Sequence, residues 1–193
     1  MLREVLRPGD TFVDVGANIG ALSLLGSKLV GASGGVYAIE AHPRTATFLA
    51  GNIRLNGARN VQVIQAAAGD RDSETRVTSR RSDDQNAVSD EGVKVPMRRL
   101  DSLLPDIDVR LMKLDVEGFE LFALRGAERV LRRTQFVYFE SWQQHSSKFG
   151  YRTPELTAFL KGCGFQLDCA EDYVSEQCEN LLAQRPLHCE SRK

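Results

Sequence analysis

The sequence predicts an α/β fold, a mostly parallel sheet covered by helices on both faces, and three observations predict it. Residues 11–29 (TFVDVGANIGALSLLGSKL) read as strand, glycine turn and helix: Phe12, Val13 and Val15 form an apolar run interrupted by Asp14. Gly16-Ala17-Asn18-Ile19-Gly20 closes that run, and Leu22, Leu25 and Leu29 then recur at helical spacing. Short apolar runs go on alternating with helical segments, which argues for parallel strands joined by crossovers. At 193 residues with 42% hydrophobic content, the chain is long enough for one well-packed core and short for two. A single domain over residues 1–193 is expected, with a polar insertion at about 70–92.

The elements follow in order. Pro8-Gly9-Asp10 is a turn signature that delivers the first strand. After the first helix, GASGG at 31–35 is loop and VYAIEA at 36–41 is a second buried strand carrying Glu40 at its end. Pro43 opens a helix at its preferred first-turn position, with Ala46, Leu49, Ala50 and Ile53 on one face and Asn56-Gly57 as its stop. Residues 60–65 (NVQVIQ) form a third strand running into Ala66-Ala67-Ala68. The polar stretch from 70 to 92 predicts a short hairpin around 76–79 and then a loop, either a solvated excursion or a lid. VKVPMRRLDSLL, residues 93–104, returns as an edge strand and turn. Residues 111–115 (LMKLD) are a fourth strand. Val116-Glu117-Gly118 turns it into one helix with Phe119, Phe122, Ala123, Ala127, Val130 and Leu131 on its apolar face. Residues 135–140 (QFVYFE) form a fifth strand, Thr153 caps and Pro154 starts another helix, and residues 165–169 and 180–184 read as two last strands that could pair antiparallel. No internal repeat is visible.

Charge and composition narrow the function. Lys+Arg 25 against Asp+Glu 26 leaves a net charge of −1, so no basic field argues for a nucleic-acid partner. No uninterrupted apolar stretch reaches the ~20 residues of a membrane span, and nothing reads as a signal peptide, so a cytoplasmic protein is expected. Cys163, Cys169, Cys178 and Cys189 lie at irregular intervals without a C-x-x-C pair, and only His188 is near Cys189. Free, partly buried thiols are therefore expected rather than zinc, with Cys163 as an ordinary core residue.

The glycine turn is a cradle. Two glycines four apart let a backbone approach a ligand, and the helix start behind them offers unpaired N–H groups. The pattern D-x-G-x-N-x-G lacks the third glycine of a dinucleotide fingerprint, and no G-x-x-x-x-G-K-S/T phosphate loop is present. An acidic Asp14 pointing into the loop suits a ligand with positive charge, and S-adenosylmethionine carries an ammonium and a sulfonium and no phosphate. In an open α/β sheet, ligands bind beyond the carboxyl ends of the strands, where this chain places Glu40, Asp115, Glu117 and Glu140. Glu40 can accept bonds from both ribose hydroxyls, a role shared with NAD enzymes. Methyl transfer to a hydroxyl needs an in-line approach and removal of a proton, for which Asp115, Glu117, Glu140 and His145 are the candidate catalytic residues. Such a group of acids could also hold Mg²⁺ or cap the next helix; no metal site is assigned.

On these residues the chain resembles a class I S-adenosylmethionine-dependent methyltransferase, and within that group the FkbM family. The likeness rests on FVDVGANIG at 12–20, IEAHP at 39–43, RRLDSLL at 98–104 and above all LMKLDVEGFELFALRGAERVL at 111–131. It implies a Rossmann-like, seven-stranded sheet whose last strand runs antiparallel, S-adenosylmethionine bound by Asp14, Gly16, Asn18, Gly20 and Glu40, and O-methylation of hydroxyls on sugars, glycolipids or polyketide-type products. Ala17 in the same loop, and Ala67 and Asp115 at the ends of the third and fourth strands, complete the expected cofactor-binding set. Only about ten residues precede the first strand, so helices that often shape the acceptor pocket in this family are missing, which leaves the crevice open or filled by a partner chain and admits a homodimer. Two rival readings share the architecture: a nucleotide-dependent oxidoreductase, and a non-catalytic domain that binds the cofactor without turnover.

Overall fold

The computed structural model describes residues 1–79, 86–167, 169, 174 and 176–186. The chain starts with α1 (Leu2–Val5), β1 (Thr11–Val15), α2 (Ala21–Val30), β2 (Gly35–Glu40), α3 (Pro43–Leu55) and β3 (Val61–Gln65). Four short strands follow: β4 (Ala67–Ala68), β5 (Ser73–Val77), β6 (Val88–Ser89) and β7 (Val93–Arg98). Next come α4 (Leu100–Leu103), β8 (Val109–Leu114), α5 (Glu120–Arg125), α6 (Glu128–Arg132) and β9 (Thr134–Ser141). The chain continues through α7 (Gln143–Ser146), a 3-10 turn at Ser147–Phe149, α8 (Thr153–Gly162), β10 (Gln166–Leu167) and β11 (Glu179–Gln184).

Seven strands form the main sheet in the order β10-β11-β9-β8-β1-β2-β3. β11 pairs antiparallel with both of its neighbours while the remaining pairs are parallel, so the one reversed strand is the last, as the sequence implies. Alternation along each strand divides the core. Val13, Val15, Met112, Leu114, Val137 and Phe139 meet Leu121, Leu124, Leu131, Leu156 and Leu160 of α5, α6 and α8 on one face. Phe12, Val36 and Leu111 meet Leu2, Val5 and Val30 of α1 and α2 on the other.

Five local expectations change. The hairpin expected at 76–79 is instead a second sheet, β4-β7-β5-β6, in which β5 pairs antiparallel with β7 from Ser73↔Met97 to Val77↔Val93. β7 thus lies between β4 and β5 rather than at an edge, and residues 80–85 of the expected loop lie outside the described residues. The single helix expected after residue 118 is two, α5 and α6, broken at Gly126-Ala127. Thr153 does not cap α8: Arg152 holds the cap position, its N–H donates to Glu155 Oε1 at 3.1 Å, and the Thr153 hydroxyl lies 3.1 Å from that of Ser141. On α3 the buried positions are Thr45, Ala46, Leu49 and Ile53, and Ala50 is exposed. Cys163, Cys169 and Cys178 are free thiols, and His188 and Cys189 lie outside the described residues.

Candidate active site

The cleft opens at the carboxyl ends of β1, β2 and β8, where the parallel strands deliver their loops to one edge. Gly16 makes it possible. Its φ of +76° is left-handed, and a Cβ there would lie 1.9 Å from the Asp115 carbonyl oxygen, so only glycine lets the loop close onto the end of β8. Asn18 also takes a positive φ, 49°. Its N–H donates to Glu40 Oε2 at 2.9 Å, while the His42 N–H donates to Glu40 Oε1 at 2.9 Å. Burial pushes the Glu40 carboxyl up and these two N–H groups pull against it. The carboxylate is thereby fixed at the rim with lone pairs left for a diol.

Of the expected cofactor-binding residues, Gly16, Asn18, Glu40, Ala67 and Asp115 line this cleft. Asp14, Ala17 and Gly20 do not. Ala17 packs with Leu49 and Ile53, and Gly20 leaves room for Leu49, whose Cδ1 would be 2.6 Å from an added Cβ. Asp14 sits on the face of β1 beneath the loop, fully buried, where the Ser23 hydroxyl donates to Oδ2 at 2.6 Å and Lys113 Nζ stands 3.4 Å from Oδ1. The walls that the sequence did not single out are Ile39, Ala41, Ala66, Ala68, Val77, Asn86, Val88, Val116 and Phe119. Val77, Asn86 and Val88 come from the second sheet and the stretch leading into it. A period-2 pattern in residues 73–77 was the one available signal.

Next to the cleft lies the acid group. Glu117 has a left-handed φ of 56°, and Gly118 follows at +98° with its Cα so close to α7 that a Cβ would meet the His145 backbone at 2.6 Å. This pair of residues aims Glu117 at His145, whose Nδ1 is 3.2 Å from Glu117 Oε2. Ligand atoms of Glu117, Glu140 and His145 lie within 4.8 Å of one another. Burial, then the charges of Glu140 and Asp115, push the Glu117 carboxyl up to about 7. Burial raises Glu140 as well, against the Cys178 thiol that donates to it at 2.9 Å. That same bond, with burial, pushes the thiol up to about 11. The Trp142 ring packs 4.3 Å from the His145 ring.

Glu120 shapes this turn, and the sequence reading passed over it. It is 3% exposed, and its Oε1 accepts the N–H groups of Val116 at 3.0 Å and Gly118 at 3.1 Å. Tyr151 Oη lies 3.1 Å from Glu120 Oε2 and 2.9 Å from the Gly118 carbonyl oxygen. One phenolic proton cannot serve both acceptors. A protonated Glu120 donates to the Tyr151 oxygen and frees Tyr151 to donate to Gly118, so every group is satisfied, and burial accordingly pushes the Glu120 carboxyl up to about 7.

The profile of the FkbM methyltransferase domain matches residues 14–167. The chain belongs to the FkbM methyltransferase family. No functionally curated protein matches this sequence. Among solved structures, an FkbM methyltransferase from Methylobacillus flagellatus superposes with a TM-score of 0.62 at 20% identity, over 95% of this chain and 49% of that one. The FkbM chain here thus spans about half the length of that relative. An S-adenosylmethionine-dependent methyltransferase from Aquifex aeolicus superposes at 0.58 with 20% identity, over 94% and 86%. Aeropyrum pernix fibrillarin, solved with natively bound S-adenosylmethionine, superposes at 0.56 with 15% identity, over 93% and 68%.

The cofactor of this FkbM methyltransferase is S-adenosylmethionine, and the cleft fits it. Glu40 presents an anchored carboxylate for a ribose, Ala67, Val77, Val88 and Phe119 offer an apolar slot, and no Lys or Arg lies among the described residues that line the cleft. Three carboxylates do, those of Glu40, Asp115 and Glu117, which favours positive charge over a pyrophosphate.

Proposed function

We propose that residues 1–193 work as one methyltransferase domain that methylates a hydroxyl oxygen of a small-molecule or carbohydrate-like acceptor such as a sugar, glycolipid or polyketide-type product. The observation that carries this is the half-buried Glu117, held on His145 at the mouth of the cofactor cleft, with its carboxyl near neutrality. When bound, S-adenosylmethionine supplies a methyl group on a positively charged sulfur. Glu40, Gly16, Asn18, Ala67 and Asp115 hold the cofactor. Glu117 takes the proton from the acceptor hydroxyl, His145 fixes the direction of that carboxylate, and Glu140 with Asp115 keeps its affinity for a proton high enough to accept one. Placement of the acceptor oxygen in line accounts for most of the acceleration and the base for ~10²–10⁴-fold.

The net charge of −1 and the carboxylate-lined cleft support a neutral acceptor over a nucleic acid, and the free thiols of Cys163, Cys169 and Cys178, the cysteines among the described residues, support a reducing, cytoplasmic setting. Among the described residues no helix is long and apolar enough to cross a membrane. The test is methyl transfer from labelled cofactor to a panel of hydroxylated and amine acceptors. Glu117→Gln should lower kcat at least ~10²-fold while leaving affinity for S-adenosylhomocysteine within about twofold. An undiminished rate removes the base assignment, and transfer confined to amines removes O-methylation.

A further inference from the structure

Lys113 is a buried cation at the centre of the sheet, 5% exposed, directly under the glycine loop. Its Nζ donates to the Gly16 carbonyl at 2.8 Å and stands between two carboxylates, 3.4 Å from Asp14 Oδ1 and 3.3 Å from Asp115 Oδ2. β1 and β8 set the spacing, because Asp14 and Lys113 are register partners on neighbouring strands. The two aspartates differ in what they face. Asp14 is fully buried and away from the cleft lining, whereas the Asp115 side chain is 42% exposed and lines the cleft. One cation is therefore shared between a fully buried carboxylate outside the cleft lining and one that lines the cleft.

We infer that Asp14 controls the cofactor site without touching it, by drawing part of the Lys113 charge away from Asp115, so that Lys113 is a positioning residue that sets how strongly the cleft favours a cationic ligand. With both aspartates ionised the three groups carry a net charge of −1, and Lys113, nearly equidistant from the two carboxylates, leaves part of that charge at Asp115, on the cleft side. Neutralising Asp14 leaves Lys113 to pair with Asp115 alone, and the cleft loses that charge. A fixed charge at the distance of a neighbouring residue, acting through partly dry protein, changes affinity for a cation by about tenfold. Lys113 simultaneously ties the Gly16 carbonyl to β8, so its location also sets the position of the loop.

The inference rests on the methyl-transfer reading of the cleft. Its readout is the ratio of affinities for S-adenosylmethionine and S-adenosylhomocysteine, measured by calorimetry. The two ligands share adenosine, ribose and amino-acid groups and differ by the methyl group and its sulfonium charge, so damage to the fold weakens both together. Asp14→Asn, which keeps the side-chain volume and an acceptor for Ser23, should lower the preference for S-adenosylmethionine by about tenfold. Adding Lys113→Met should restore that preference to within about threefold of the wild type, because Asp115 regains its charge. An unmoved ratio in Asp14→Asn overturns the inference, as does a double variant no better than Asp14→Asn, which would mean that Asp14 meets the ligand itself. If circular dichroism shows the double variant unfolded, Asp14→Leu with Lys113→Met makes the same comparison without a buried polar pair. A wild type that binds neither ligand removes the methyl-transfer reading, whereas binding with an unmoved ratio removes only the role of Lys113.

Discussion

Glu117 is held in a left-handed conformation that a non-glycine residue adopts at a cost of order 1 kcal/mol, next to Gly118, which is the one residue type that fits against α7. The strain is offset by Glu120, which gathers the Val116 and Gly118 N–H groups, and the result is a carboxylate placed on His145. Because its carboxyl is pushed up to about 7, the base form gains population as pH rises through that value. The expected kcat profile therefore climbs from pH 6 to pH 8 with an apparent pKa of about 7, and Gly118→Ala, which drives His145 away, should cost activity at least ~10-fold without shifting S-adenosylhomocysteine affinity. A flat profile would sink this role for Glu117. The sequence made Glu117 and His145 visible as residue types near one strand edge, and the motif spacing made Gly16, Asn18 and Glu40 visible. It did not reveal that Asp14 points to Ser23 and Lys113. An alternating strand has two faces, and which one receives a lone acid is decided by the lysine on the strand beside it, 99 positions away along the chain.

At the level of elements, the conspicuous contact is made by Asp101, in the four-residue α4. Its carboxylate accepts the N–H groups of Arg129 and Val130, each at 3.0 Å, and so caps the start of α6, whose own cap residue, Ala127, has no side chain to do it. The Arg129 guanidinium returns the contact to the Asp101 and Leu104 carbonyl oxygens at 2.7 and 2.6 Å. This is the physical link between the two most distinctive sequence blocks, residues 98–104 and 111–131, and it accounts for the break between α5 and α6. Asp101→Ala should destabilise the fold by about 2 kcal/mol and Asp101→Asn by about half as much, read from urea unfolding midpoints at constant slope. An unchanged midpoint would mean that water satisfies those N–H groups equally well. Helical periodicity continues smoothly through Gly126, which explains why one helix is the natural reading: a cap supplied from 28 residues upstream leaves no local trace. The same holds for the second sheet. β5 sets charged Glu74 and Arg76 against Ser73, Thr75 and Val77, with a single apolar residue, and its partner β7 starts 16 positions beyond the end of β5, so the composition suggests only a short hairpin and then a loop, solvated excursion or lid. The main sheet was legible because its parallel strands are short, largely apolar segments bounded by turn residues and alternating with helical ones, which local sequence does encode.

For the whole molecule, the acid cluster that serves the cleft works against the fold as pH rises. Glu120 is fully buried, with its carboxyl raised from an ordinary value of 4.5 to about 7, and Glu117 is raised similarly, while burial also lifts Glu40 and Glu140. In this window the folded protein keeps protons that the unfolded chain has already released. Stability from these groups is therefore fully present below about 4.5 and is lost as pH climbs through about 7. For Glu120 alone the rise corresponds to about 3 kcal/mol, whereas solvent reaching Glu117 screens its share. The ligand-free protein should accordingly be more stable to urea at pH 5 than at pH 8. Glu120→Gln isolates the cause, since a carboxamide accepts the Val116 and Gly118 N–H groups and its NH₂ donates to the Tyr151 oxygen, as the protonated acid does. That variant should lose little stability at pH 5 and gain at pH 8, flattening the curve by up to about 3 kcal/mol. A Glu120→Gln curve that runs parallel to the wild type across that range would show that the buried carboxyl is ionised in the folded protein throughout, as it is in the unfolded chain, and that Glu117 and its neighbours carry the whole dependence.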